Sequence, residues 1–146
     1  MQTARQIVPE QVSPAAKTTA QPSKKAIWLG RIMSALPVLL LIFSATLKFI
    51  KPAGVVQGLE HAGIPLHLAT PIGIIEIACA LMYAIPRTAV LGAILVTGYM
   101  GGATLTHVRI GEPWVVEVLV GVFAWGGLYL RDPRIRELIP LRRTAR

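Results

Sequence analysis

Apolar residues gather along this chain into four long runs, and the segments between them hold nearly all of its charge. The first run covers about residues 27–50, where Arg31 and Lys48 bracket sixteen uncharged residues. The second covers about 66–85 and stops at Pro86 and Arg87. The third, 88–108, has no charge apart from the titratable His107, and the fourth, 113–130, opens at Trp114 and closes at Tyr129 and Arg131. An α-helix needs about 20 apolar residues to cross a hydrocarbon layer roughly 30 Å thick, so each run has the length of a membrane span. Arg31 and Lys48 can snorkel to the interfaces, where Trp28, Trp114 and Tyr129 also belong. Pro37 should kink the first span, which is tolerated where neighbouring helices satisfy the freed carbonyl.

The flanks read differently. Residues 1–25 are rich in Gln, Thr, Ser, Pro, Ala and Lys with no apolar period, and are expected to form a disordered tail. Residues 51–65 include Gly54, Gly58, Glu60, His61 and Gly63, and predict a loop with at most a short interfacial helix. Residues 132–146 form a basic tail. It begins with Asp132 as a helix cap and Pro133 at the first helical position, and Ile135, Leu138 and Ile139 suggest one or two turns lying on the membrane surface. The expected fold class is all-α, an integral membrane four-helix bundle over residues 26–131.

Composition agrees. At 146 residues, a hydrophobic content of 53% and a mean hydropathy of +0.59 exceed what so small a core must hide. The net charge of +8 comes from 15 basic against 7 acidic residues. A basic balance of this size raises nucleic acid as a partner, but the charges sit in tails and short connections and form no binding face. Near the spans, Lys17, Lys24, Lys25, Arg31, Arg87, Arg131, Arg134, Arg136, Arg142, Arg143 and Arg146 fall on one side. Lys48, Lys51 and Arg109 fall on the other. That bias predicts both termini in the cytoplasm and a multi-pass protein of the cell membrane. The first run is too long for a signal-peptide core and lacks a clear small-residue cleavage site, so it should persist as an anchor. Cys79 is the only cysteine, which leaves no intrachain disulfide or thiolate cluster, and a buried inert thiol is expected.

A charge inside a span nearly always faces other helices, a partner group or water. Counting 1.5 Å per residue from Thr70 places Glu76 roughly 9 Å below the outer end of its span. Glu117 lies on the same outer side, and Lys48, His107 and Arg109 fall near the outer ends of theirs. The sequence therefore predicts a polar cluster of Glu76, Glu117, Lys48, His107 and Arg109 in the outer half. Small residues share those faces at helical spacing: Gly73 with Glu76, Gly101 with Thr97 and Thr104 and flanked by Gly98 and Gly102, and Gly121 with Glu117. They are expected to let helix backbones approach closely. Two readings of the cluster stand side by side. In one, ion pairs fix helix register, with Thr97 and Thr104 adding hydrogen bonds between helices. In the other, the cluster is a proton relay or a quinone-headgroup site, with Glu76 or His107 titrating. His61, His67 and His107 match no metal-ligand spacing, and no metal is expected.

The segments Gly73-Ile74-Ile75-Glu76-Ile77, Ile85-Pro86-Arg87, Leu91-Gly92-Ala93-Ile94-Leu95, Gly98-Tyr99-Met100-Gly101-Gly102-Ala103-Thr104 and His107-Val108-Arg109 resemble the DoxX-like family of small four-span membrane proteins. The resemblance covers about residues 36–131. Members resembling DoxX include membrane subunits of sulfur-compound:quinone oxidoreductases and partners of soluble redox or detoxification enzymes. It implies an accessory or anchoring subunit tied to redox or respiratory chemistry, rather than a stand-alone enzyme, with a soluble or membrane redox protein as partner. A small-molecule permease or quinone-binding enzyme acting through the outer cluster is the alternative, and a stress-related membrane scaffold a third. No cofactor motif is evident, quinone is compatible with the cluster, and an oligomer is compatible with the pattern.

Overall fold

The computed structural model describes residues 23–139. The expected disorder of residues 1–22 and the final residues of the basic tail lie outside the described residues. Helix α1 spans Lys24–Ile50, entered through Ser23, whose hydroxyl accepts a hydrogen bond from the Ala26 amide at 3.3 Å. This cap supplies an acceptor for one of the orphaned first-turn amides, so the helix starts ahead of the apolar run itself. It continues through Pro37, which is buried. Lys51, at φ 54, closes it by donating its amide to the Leu47 carbonyl, and Pro52 then bars continuation.

The connection that follows is helical rather than open. Helix α2 spans Ala53–His61 and buries Leu59, and a single 3-10 turn at Leu66–Leu68 leads into α3, Ala69–Ala84. Ile85-Pro86-Arg87-Thr88 then reverses the chain, pinned where the Thr88 hydroxyl donates to the Met82 carbonyl at 2.7 Å. Helix α4 spans Ala89–Ile110 and ends at Gly111, whose φ of 75 suits a residue without a Cβ. Helix α5 spans Val115–Arg131, and α6, Pro133–Leu138, is capped by Asp132 accepting from the Arg134 amide at 2.9 Å.

Helix α1 packs against α3 and α5, and α4 packs against the same two from the other side. The buried positions form one stripe per helix: Gly30, Ser34, Pro37, Leu41 and Ala45 on α1, and Gly73, Glu76, Ala80 and Tyr83 on α3. The spacings of three and four put each stripe on a single face. Large apolar side chains cover the outside, among them Leu39, Phe43, Ile74, Leu105 and Val116. Water would leave that surface strongly unfavourable, whereas lipid suits it. Three helical segments, Lys24–Ile50, Leu66–Ala84 and Ala89–Ile110, are long and apolar enough to cross a membrane, and α5 has 17 residues. Among the described residues there is no strand.

Two glycine contacts set how closely the helices approach. A Cβ at Gly30 would stand 2.9 Å from the Gly127 carbonyl oxygen, and one at Gly127 would collide with the Ser34 hydroxyl, so α1 and α5 touch backbone to backbone. A Cβ at Gly92 would strike the backbone of Met82 and Tyr83, which fixes α4 against the end of α3. Tyr83 ties this end together, donating its hydroxyl to the Ala124 carbonyl at 2.7 Å and lying 3.0 Å from the Ser34 hydroxyl.

Candidate functional site

At the other end of the stripes the core becomes charged. The α1 stripe continues from Ala45 along the same side to Ser44 and Lys48, four residues apart. The α3 stripe carries Glu76 between Gly73 and Ala80. Gly73 allows the approach, since a Cβ there would meet the Phe49 ring at 3.2 Å and the Ala45 carbonyl oxygen at 3.3 Å. The Glu76 side chain is 2% exposed. Its Oε1 accepts from Tyr99 Oη at 2.7 Å, Ser44 Oγ at 2.9 Å and Lys48 Nζ at 3.1 Å. Lys48 also donates to Ser44 Oγ at 2.7 Å, so that hydroxyl relays between ammonium and carboxylate. Three helices thus converge on one oxygen atom. An isolated buried carboxylate is strongly unfavourable, and a counter-ion with two hydroxyl donors offsets that. Its other oxygen, Oε2, is buried and has no hydrogen-bond partner among the described residues.

A second tier of charge lies beside the first. His107 Nε2 is 3.4 Å from Glu117 Oε1, and His107 Nδ1 is 3.5 Å from Glu112 Oε2, while His61 Nε2 lies 3.8 Å from Glu112 Oε1. The first tier and the His107 and Glu117 pair line one cavity of about 320 Å³, walled by Ser44, Lys48, Glu76, Tyr99, His107 and Glu117 together with Leu40, Leu41, Phe43 and Val120. A larger cavity of about 530 Å³ shares Lys48, Tyr99 and His107, and is lined further out by Val55 and Leu59 of α2, by Ile64, Ile72 and Ile110, and by Glu112. Mostly apolar walls with a few convergent polar groups are the usual build of a small-molecule site.

The structure brings Lys48, Glu76, His107 and Glu117 around that cavity and places Arg109 elsewhere. The Arg109 guanidinium donates to the Ala62 carbonyl, tying α4 to the residue that follows α2. With a long, flexible side chain at the last turn of α4, it reaches the nearest orphan carbonyl rather than the core. The glycines divide similarly. Of the five glycines marked in the sequence, Gly73 alone sits in a tight contact between helices, whereas Cβ atoms at Gly98, Gly101, Gly102 and Gly121 would meet nothing within 4 Å. Gly98 and Gly102 border the larger cavity, and Gly101 and Gly121 border a groove between α4 and α5. Thr97 and Thr104 donate to carbonyls of their own helix, those of Ala93 and Met100, both at 2.8 Å. A helical threonine can always satisfy itself in this way. Thr97 additionally accepts from Trp125 Nε1 at 2.9 Å, a link between α4 and α5. His67 is exposed, Cys79 is a buried free thiol, and among the described residues no group of three His, Cys, Asp or Glu side chains is arranged to hold a metal ion.

Glu112 and Tyr99 are the site residues that sequence reasoning passed over, Tyr99 being the one that meets Glu76. The only signal for Tyr99 was position: a phenol at mid-helix in an apolar run must find an acceptor, and Glu76 is the acceptor available at that depth.

Compared with known proteins, residues 32–127 match the model of the DoxX-like family. No curated protein and no solved structure matches the chain.

Proposed function

The chain belongs to the DoxX-like family, and from that premise we propose a four-span protein of the cell membrane, both termini cytoplasmic, that serves as an accessory subunit for redox chemistry. Its outer-half cavity is the binding site for the oxygen-bearing headgroup of a quinone-type carrier. Three apolar helices long enough to span support the topology, as do the apolar outer face of α5, with Val115, Val118 and Val122 exposed, and the bias of Lys and Arg to one side. The shorter α5 would cross with the help of the interfacial groups Trp114 and Tyr129 and of local thinning.

One observation carries the ligand reading. Glu76 gathers three donors on one oxygen, keeps the other without a partner, and lines a cavity with apolar walls. Lys48 and His107 are the donors suited to a quinone carbonyl, and the Glu76 and Glu117 carboxylates the acceptors suited to a quinol hydroxyl. A quinone would supply two-electron redox capacity in the membrane, and the chain's own residues would orient it and hold protons nearby. The experiment is equilibrium binding of a short-chain ubiquinone to the purified protein in nanodiscs, read by quenching of intrinsic tryptophan fluorescence. Saturable binding that weakens about tenfold in Tyr99→Phe supports the reading, since one charge-assisted network is lost. Linear, unsaturable partitioning identical in both proteins contradicts it.

A second reading is favoured by the Lys48 and Glu76 pair itself, which joins α1 to α3 and would also fix their register. On that account the charges are structural, and Glu76→Gln changes stability without changing any ligand response.

A further inference from the structure

The opposite end of the molecule carries a separate feature. Arg31 lies seventeen residues before Lys48 on α1, roughly 25 Å away along the helix axis. The Gly30 contact with the backbone of α5 brings it level with Arg131, for a Cβ at Gly30 would stand 3.0 Å from the Arg131 amide nitrogen. Arg31 and Arg131 border a single cavity of about 320 Å³ together with Ser34, Val38, Leu39 and Tyr83.

Neither arginine forms an ion pair among the described residues. Among the described residues, the ion pairs all lie at the far end, on Lys48, His61 and His107. The Arg131 guanidinium carbon lies 5.5 Å from the Tyr83 ring centre, and that of Arg31 lies 5.7 Å from the Trp28 ring centre. These contacts orient the two cations without supplying acceptors. Arg131 Nη2 is buried and has no hydrogen-bond partner among the described residues. An arginine that borders a cavity and meets no acceptor among the described residues is suited to recognition of a phosphate there. Arg136 shows the contrast: its guanidinium is spent on the Tyr129 and Leu130 carbonyls, both at 2.7 Å, closing the end of α5.

The walls indicate what kind of phosphate enters. From the arginines the cavity runs along α1 to Val38 and to Leu39, which is 63% exposed, in the direction of the membrane interior. Charge lies at the interface end and apolar surface below it, the order found in a phospholipid. We propose that Arg31 and Arg131 form a binding site for an anionic glycerophospholipid of the cytoplasmic leaflet, its phosphate between the guanidinium groups and an acyl chain along Val38 and Leu39. The site rests on the membrane reading alone and is independent of the outer cavity.

The test uses the full-length protein in nanodiscs made from equal amounts of phosphatidylglycerol and phosphatidylcholine, with native mass spectrometry counting retained lipids. Wild type should keep phosphatidylglycerol over phosphatidylcholine, and that preference should fall about fivefold in Arg31→Gln and again in Arg131→Gln. Arg134→Ala removes an equal charge from an exposed position and should leave the preference unchanged. Millimolar inorganic phosphate should not displace the lipid, because it lacks the acyl contacts. No preference in wild type, an equal fall in Arg134→Ala, or displacement by free phosphate overturns the site. Should Arg131→Gln not accumulate, Arg31→Gln decides, its side chain being exposed: a loss of preference supports the site and an unchanged preference overturns it.

Discussion

Lys48 Nζ lies 3.1 Å from Glu76 Oε1, joining α1 to α3, and both partners are largely shielded, at 17% and 2% exposure. Removing Lys48 leaves Glu76, the more deeply buried of the two, without its counter-ion. Lys48→Met should therefore destabilise the protein by about 3–5 kcal/mol, and the double variant with Glu76→Gln should recover much of that loss. Thermal unfolding of all four proteins in one detergent closes the cycle. Additive effects would mean that the pair does not interact in solution.

Tyr83 makes a comparable link at the other end through hydroxyl bonds to Ser34 and the Ala124 carbonyl. Tyr83→Phe keeps the ring and its packing, so the expected cost is about 1–2 kcal/mol. Adding Ser34→Ala to the Tyr83→Phe variant should cost little more, because the hydroxyl that Ser34 meets is already gone. Detergent unfolding midpoints provide the comparison.

Glycine substitutions should separate tight contacts from open ones. Gly92→Ala drives a methyl into the backbone of α3, which cannot give way as a side chain could, and should cost about 3 kcal/mol or prevent accumulation. Gly101→Ala meets nothing, and alanine favours the helix, so stability should hold or rise by up to about 1 kcal/mol. Similar losses at both positions would contradict the packing described.

These glycines also show where the sequence was readable. Lys48, Glu76, His107 and Glu117 stood out because a charge in an apolar run must find a partner, whatever the details of packing. A stripe of small residues has no such unique consequence: Gly73 marks a close contact, while Gly98, Gly101, Gly102 and Gly121 border open grooves with the same spacing. In a water-soluble helix, polar residues would have marked the outward face, but lipid-facing and core-facing positions are both apolar here, so the period fades. Gly30, Gly92 and Gly127 were unreadable for that reason, and so was the side of α4 that Tyr99 occupies. The start of α1 at Lys24 turned on one hydroxyl, that of Ser23, in a segment whose composition suggested only disorder.

Topology has a direct check. Reporter fusions after Arg87 and after Arg146 should read as cytoplasmic, and one after Gly111 as external. An external signal at Arg146 would contradict an even number of crossings and remove Arg131 from the cytoplasmic leaflet that the arginine pair requires.

The central claim is that the cavity beside Glu76 receives a ligand, and Glu76→Gln tests it most directly because the amide keeps the shape and loses the charge. Short-chain ubiquinone binding should be measured in nanodiscs alongside the amount of folded protein and its unfolding midpoint. Normal insertion, a modest loss of stability of about 1–3 kcal/mol, and binding weakened at least about tenfold are expected. Unchanged binding in a folded Glu76→Gln protein would contradict it and leave the Lys48 and Glu76 pair as a structural tie between α1 and α3.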